Sequence, residues 1–218
     1  MSTTHRPFPA HGRLAAQTAA LALASLLVTS ACGDAEPETP AGLATGVPET
    51  WAAGITDGKE RYPDIGAQGQ GDFAWECPLV ESVEVDGETM DSTMTTFWKL
   101  DDATFEVECE FYPPTPASLM FAQAGDDSAF AELVESTDAF EQTGNEQVQS
   151  EVTIGERDFV LVTWTYPTNP EAGTKHVACY LDEATLSRAC LDVADSDERS
   201  DTYDAEQAAA ELSAILSS

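Results

Sequence analysis

The chain of 218 residues carries 40 acidic and nine basic side chains, which gives a formal net charge of −31. This surplus excludes nucleic-acid binding through phosphate neutralisation, because two polyanions repel each other. The hydrophobic content of 42% excludes a wholly disordered acidic chain, since such chains lack the apolar surface needed to fold. The large charge also favours a soluble monomer.

The N-terminal 31 residues have the composition of an export signal. Basic residues, without any acidic one, precede an apolar run over residues 14–28. A basic segment followed by about 7–15 apolar residues is typical of a secretory signal peptide. The run is shorter than the roughly 20 residues that a membrane-spanning helix needs. The sequence therefore predicts that residues 1–31 are removed on export.

The residues at the end of this run indicate lipid attachment. Thr29-Ser30-Ala31-Cys32 resembles the lipobox of bacterial lipoproteins, in which small residues precede the modified cysteine. The resemblance implies that Cys32 becomes the acylated N-terminus, anchored at the outer face of a bacterial cell membrane. The alternative is an ordinary secretory signal with an incidental cysteine. Residues 32–50 contain three prolines and four acidic residues without apolar periodicity, which predicts a disordered acidic tether.

The predicted extracytoplasmic domain, residues 51–218, contains four cysteines. They are Cys77, Cys109, Cys179 and Cys190. An even number of cysteines in an exported protein predicts disulfide bonds, and four cysteines allow three pairings. Proximity within one hairpin favours Cys179–Cys190, which leaves Cys77–Cys109. Zinc binding is disfavoured, because the C-x-x-C spacing is absent and His176 is the single histidine of this part.

The patterning of the domain predicts strands and helices in alternation. Strands are expected over 79–85, 90–100 and 104–112, a helix over 126–142, strands over 147–154 and 157–166, a hairpin containing Cys179 and Cys190, and a helix over 202–216. In 104–112 apolar residues alternate with glutamates, which indicates a sheet with one solvated face. Asp201 is the predicted N-cap of the last helix. We therefore predict one α+β domain, with a mainly antiparallel sheet, helices mostly on one face, and disulfide bonds between strands.

The sequence contains no catalytic or cofactor motif that we recognise. A Gly-x-Ser-x-Gly elbow, a phosphate-binding glycine loop and a dinucleotide fingerprint are all absent. His176 lies in a predicted strand, which indicates a half-exposed residue without a catalytic role. The acidic run over 192–204 suggests a calcium-dependent adhesion module, but Arg199 and Ser200 occupy EF-hand positions that need an oxygen ligand and a glycine. The sequence thus predicts no cofactor and no metal.

Aromatic residues are the remaining candidates for a binding site. Trp98, Trp164 and Tyr166, with Trp75, combine large contact area with polar atoms, as in pockets for sugars or apolar ligands. The alternative is that these side chains fill the core of the domain. The first three are the predicted ligand-binding residues.

The lipobox at Cys32, the acidic proline-containing tether, the paired cysteines and the closing alanine-rich helix together resemble small actinobacterial cell-envelope lipoproteins of unknown function. The resemblance is greatest from Val152 to the last helix, and it implies envelope residence and, at most, binding of a ligand or partner. We therefore predict a non-enzymatic binding or scaffolding module. Its predicted partners are the membrane, through the anchor, and an envelope protein or a small ligand. The alternative is a hydrolase that uses carboxylates on cell-wall or extracellular substrates.

The distribution of charge points to habitat more than to a ligand. The chain has three lysines, whereas acidic residues are spread over the predicted strands and helices. Such a surface suits a saline environment, because salt screens the repulsion between like charges.

Overall fold

The computed structural model describes residues 46–64, 69–73, 76–112, 116–138, 146–165, 173–194 and 203–218. The helices within these stretches are α1 (Trp51–Arg61), α2 (Asp127–Asp138) and α3 (Ala205–Ile215). The strands are β1 (Gly69–Phe73), β2 (Ser82–Val85), β3 (Glu88–Lys99), β4 (Thr104–Phe111), β5 (Ala117–Ala124), β6 (Glu146–Ile154), β7 (Arg157–Thr165), β8 (Thr174–Asp182) and β9 (Ser187–Ala194). All of these elements belong to one compact unit.

The strands form an antiparallel sheet in the order β1-β3-β4-β5-β9-β8-β7-β6, and the short β2 pairs with the first part of β3. Two meanders, β3-β4-β5 and β6-β7-β8-β9, are joined by the pairing of β5 with β9. The combination of this sheet with three described helices confirms the predicted α+β class. The sequence patterns did not predict α1, β1 or β5.

One face of the sheet, which we call the core face, carries the main hydrophobic core. Val107 pairs with Phe97 on one side and with Phe121 on the other, so the three buried side chains share this face. Helix α1 packs here through Trp51, whose ring meets that of Phe121 edge-on at 5.6 Å between centroids. Gly58 of α1 lies so close to Phe97 that an added Cβ would be 2.5 Å from its ring. Burial of each such aromatic side chain contributes about 1.5–3 kcal/mol.

Helix α3 contributes a second set of side chains to the same core. Its buried residues are Ala205, Ala208, Ala209, Leu212 and Ile215. The carboxylate of Asp204 accepts a hydrogen bond from the N–H of Gln207 and so caps the helix. The predicted cap, Asp201, is therefore wrong. Asp201 itself lies outside the described residues.

The opposite face, which we call the α2 face, carries a smaller apolar cluster and two ion pairs. The buried members of the cluster are Val162, Trp164, Val177, Cys179 and Cys190. Helix α2 covers another part of this face. Ala189 lies on the core face, so the neighbouring side chain of Arg188 points to the opposite face, where it donates a hydrogen bond to the Thr137 hydroxyl of α2. Asp126 caps α2 by accepting the N–H of Ala129. The predicted continuation of this helix over 139–142 lies outside the described residues.

Both predicted disulfide bonds are confirmed. Cys77–Cys109 closes a sequence separation of 32 residues and attaches the segment before β2 to the main core. Cys179–Cys190 joins directly opposed residues of β8 and β9, with a separation of 11 residues, on the α2 face. Each face of the sheet thus has its own covalent link.

The first described residues pack against the sheet. Val47 is buried, and its N–H donates to the Asp182 carboxylate over 3.0 Å. Gly46 approaches the same carboxylate so closely that an added Cβ would lie 2.8 Å from it. Arg157 donates to the carbonyl groups of Gly46 and of Leu216 at the end of α3. The described part of the predicted tether, residues 46–50, therefore belongs to the folded domain.

Candidate functional site

Arg188 and Glu106 form a buried ion pair on the α2 face. Nη2 of Arg188 donates to Oε2 of Glu106 over 2.9 Å, and each side chain is only 9% exposed. The two residues lie on β9 and β4, and Ala122 of β5 pairs with both of them. The small Ala122 side chain leaves room for the guanidinium to cross β5. The prediction that the glutamates of β4 all face solvent is thus wrong for Glu106, because Arg188 neutralises it and α2 covers the pair.

Helix α2 supplies two hydroxyl groups to this ion pair from its last turn. Nη1 of Arg188 donates to Oγ of Ser136 over 3.2 Å and to Oγ1 of Thr137 over 3.1 Å. Both hydroxyls donate in turn to the carbonyl of Leu133. The C-terminal end of a helix carries partial negative charge, which favours a guanidinium at this place. Arg188 therefore joins β4, β9 and α2.

The electrostatics of the pair reflect its burial. Removal from water raises the pKa of the Glu106 carboxyl above its ordinary value, although Arg188 opposes this shift. Nε of Arg188 is also buried, and it has no hydrogen-bond partner among the residues that the structure describes. A buried donor without a partner costs about 1–3 kcal/mol.

A cavity of 480 Å³ lies beside Arg188, between α2 and the turn that joins β3 to β4. Its polar and apolar walls include Asp101, Thr104, Glu132, Leu133, Ser136 and Arg188. Small-molecule sites in proteins have volumes of about 300–1,000 Å³ and combine apolar walls with a few convergent polar groups. The cavity beside Arg188, which we call the Arg188 cavity, has both properties.

Asp101 fixes the wall of the cavity that the β3–β4 turn provides. Its Oδ1 accepts the N–H groups of Ala103 and Thr104 over 2.6 and 2.7 Å. Burial disfavours the charged form of Asp101, but these hydrogen bonds outweigh burial and hold its pKa below the ordinary value. Asp101 is therefore negatively charged at neutral pH.

The structure separates the aromatic residues that the sequence suggested as ligand-binding. Trp98 pairs with Glu106 on the α2 face, and its Nε1 donates to the Glu108 carboxylate over 3.0 Å. Trp164 lies on the same face but five strand positions away, where it is buried in the apolar cluster. Tyr166 lies outside the described residues. Of the two that the structure describes, Trp98 is the one beside the ion pair.

His176 lies in a strand as predicted, but its exposure differs from the prediction. It is buried, not half-exposed, and its ring meets that of Tyr203 at 5.8 Å between centroids. Its Nδ1 lies 3.4 Å from the hydroxyl of Thr163. These contacts place the imidazole in the packing between the sheet and the segment leading into α3.

A second ion pair lies on the α2 face, at the β8–β9 hairpin. Nζ of Lys175 is 3.0 Å from Oδ2 of Asp192. Burial raises the pKa of the Asp192 carboxyl, and Lys175 opposes the shift. The Lys175 side chain is more exposed than either partner of the Arg188–Glu106 pair.

The predicted lipidation site Cys32, the predicted signal peptide and most of the predicted tether lie outside the described residues. Within the part that the structure describes, no group of three or more His, Cys, Asp or Glu side chains is placed to hold a metal ion. No helix in that same part has the length and apolar character to cross a membrane.

Comparison with protein-family models, curated proteins and solved structures finds no match for this chain. The Arg188 cavity is therefore characterised by its own chemistry. Sequence reasoning missed both Arg188 and Glu106. The one signal was an arginine in the mainly apolar strand β9, where a buried guanidinium needs an acidic partner.

Proposed function

We propose that the chain is a monomeric, lipid-anchored extracytoplasmic module that binds a small ligand or a segment of an envelope partner in the Arg188 cavity, without catalysing a reaction. Cys32 is the anchor, at the outer face of a bacterial cell membrane. The observation that carries the proposal is the cavity of 480 Å³ with a buried guanidinium in its wall. Convergent polar groups held rigidly in a concave site are typical of ligand recognition.

The arrangement of the helices supports this assignment. Two of the three described helices, α1 and α3, pack on the core face, where they complete the hydrophobic core. Helix α2 instead places hydroxyl and carboxylate groups around a buried charge. We assign stability to the core face and recognition to the α2 face.

The surroundings of the carboxylates favour binding over the alternative of hydrolysis. A glycosidase needs two carboxyl groups that face the substrate, one of them with a raised pKa. Glu106 has a raised pKa, but Arg188 occupies its carboxylate and the side chain is buried. Asp101 is held by two backbone N–H groups. Both carboxyl groups therefore have structural partners already.

Native mass spectrometry of the full-length protein from its own host tests this function. Glu132 lines the cavity from the exposed side of α2, and Glu135 is an exposed residue of the same helix that does not line it. We expect a bound species in the wild type and in Glu135→Trp that is lost in Glu132→Trp, where the indole fills the cavity. Retention of that species in Glu132→Trp, or its absence from the wild type, would contradict the proposal. Reproducible turnover of glycan or ester substrates by the wild type would establish the hydrolase instead.

A further inference from the structure

We propose that the ligand of the Arg188 cavity is a neutral saccharide unit. This inference rests on the binding function proposed above and specifies the chemistry of the ligand. Three properties of the cavity lead to it: the sign of the surrounding charge, the mixture of hydrogen-bond donors and acceptors, and the leucine surface in its wall.

The charge around the cavity disfavours an anionic ligand. The positive charge of Arg188 is already balanced by Glu106 at 2.9 Å. Asp101 and Glu132 add carboxylates to the walls, and the chain as a whole has a formal charge of −31. A carboxylate or phosphate ligand would meet this negative field and would have to compete with Glu106 for the guanidinium.

The hydrogen-bonding groups favour a ligand that both donates and accepts. Arg188 has five N–H donors; both of Nη1 and one of Nη2 are bonded to described residues, and Nε is buried. The second N–H of Nη2 is therefore the donor that Arg188 offers, whereas the carboxylates of Asp101 and Glu132 offer acceptors. A sugar hydroxyl serves both kinds of group. An ammonium ligand donates only, so it cannot accept a hydrogen bond from Arg188.

Apolar surface completes the site. Leu100 and Leu133 line the cavity and give it apolar surface. Leucine side chains contact the C–H faces of a pyranose ring, while its hydroxyls reach the polar groups. The volume of 480 Å³ accommodates about one or two such rings.

Isothermal titration of the full-length chain, in a detergent without a sugar headgroup, tests this inference. The neutral probes are the methyl glycosides of glucose, galactose, mannose and N-acetylglucosamine, and the charged probes are glucuronate and glucosamine. We expect at least one neutral glycoside to bind with a Kd below about 1 mM and the charged probes about tenfold more weakly. Glu132→Trp should weaken binding at least about tenfold, and Glu135→Trp should leave it within about twofold.

The variants separate the failure of this inference from the failure of the binding function. Glu132→Gln keeps the size of the side chain and should weaken binding of the neutral glycoside about threefold. It keeps the test valid if the tryptophan variant misfolds. Preferred binding of glucuronate or glucosamine that Glu132→Trp abolishes would overturn the saccharide while the binding function stands. Binding of the glycoside that is insensitive to Glu132→Trp, or no binding by any probe, would also overturn the inference. Whichever of these outcomes is found, native mass spectrometry tests the binding function independently.

Discussion

The two faces of the sheet are buried by different means. On the core face, aromatic side chains from β3, β4 and β5 pack against α1, and α3 closes the same core. On the α2 face, Arg188 and Glu106 are buried as charges that neutralise each other beneath hydroxyl groups of α2. Apolar packing stabilises a fold without specifying a ligand, whereas a buried charge is costly and demands a defined set of partners. The α2 face, where charges are buried, is therefore the one to test for function.

The largest effect is expected from breaking the buried pair. Glu106→Gln leaves the Arg188 guanidinium buried without a counter-charge, so it should lower the free energy of unfolding by about 3–5 kcal/mol in denaturant titrations. Glu108→Gln is the matched control, since Glu108 lies on the same strand and face but is only partly buried. It should cost less than about 1 kcal/mol.

An apolar double variant sharpens the same comparison. Glu106→Leu with Arg188→Met removes both charges, and the hydroxyls of Ser136 and Thr137 keep the Leu133 carbonyl as their acceptor. We expect stability within about 1 kcal/mol of the wild type, because well-packed apolar residues replace buried pairs at little cost. The double variant should fold and yet lose glycoside binding. A fully functional double variant would remove the basis for assigning recognition to the α2 face.

The two disulfide bonds allow the stability of the two faces to be compared, because one bond lies on each face. Their loops of 32 and 11 residues predict losses of about 3.7 and about 2.8 kcal/mol on conversion of each pair to alanine, from the chain entropy of the unfolded state. Removal of Cys77–Cys109 should therefore lower the midpoint of denaturant unfolding further than removal of Cys179–Cys190. The reverse order would mean that the α2 face depends on its cross-strand bond more than the core face does on its own.

A smaller effect follows from the second ion pair. Because burial raises the pKa of Asp192, the folded state takes up a proton at a higher pH than the unfolded state does. The free energy of unfolding should then rise as pH falls from neutral towards the ordinary pKa of an aspartate, and Asp192→Asn should reduce that rise. Glu88→Gln, at an exposed position, is the control and should keep the wild-type slope. Equal slopes for both variants would show that Asp192 does not contribute.

Salt should produce the smallest effect. The 40 acidic residues repel one another in the folded chain, and about 0.5 M NaCl shortens the range of that repulsion. We expect the Tm to rise by about 2–4 °C. A flat or falling Tm would contradict the view that the acidity reflects a saline habitat.

Local sequence patterns predicted those strands and helices that are determined by residues close together in the sequence. The strand β4 follows from its alternation with a period of two, β6 and β7 follow from the turn between them, and the Cys179–Cys190 bond follows from a hairpin. Helix α1 was missed because its burial against Phe97 depends on glycine rather than on an apolar stripe. Strand β5 was missed because it lies at the centre of the sheet and lacks clear alternation.

The candidate site depends on contacts that no local pattern contains. The alternation correctly placed Glu106 on the face of the sheet opposite to that of Phe105 and Val107. The burial of Glu106, however, depends on Arg188, 82 residues away in the sequence. The hydroxyls that complete the site come from α2, about 50 residues before Arg188. Trp98 could be named from the sequence as an aromatic candidate. Its place beside the cavity required the register of β3 against β4.

Hydrogen exchange of the full-length chain, with and without the neutral glycoside that binds, tests the division between the two faces most directly. We predict slower exchange in the β3–β4 turn around Asp101 and in α2, with α1 and α3 unchanged. Protection confined to α1 and α3, or no change in α2, would contradict the claim that the face with the buried charges is the one that recognises a ligand.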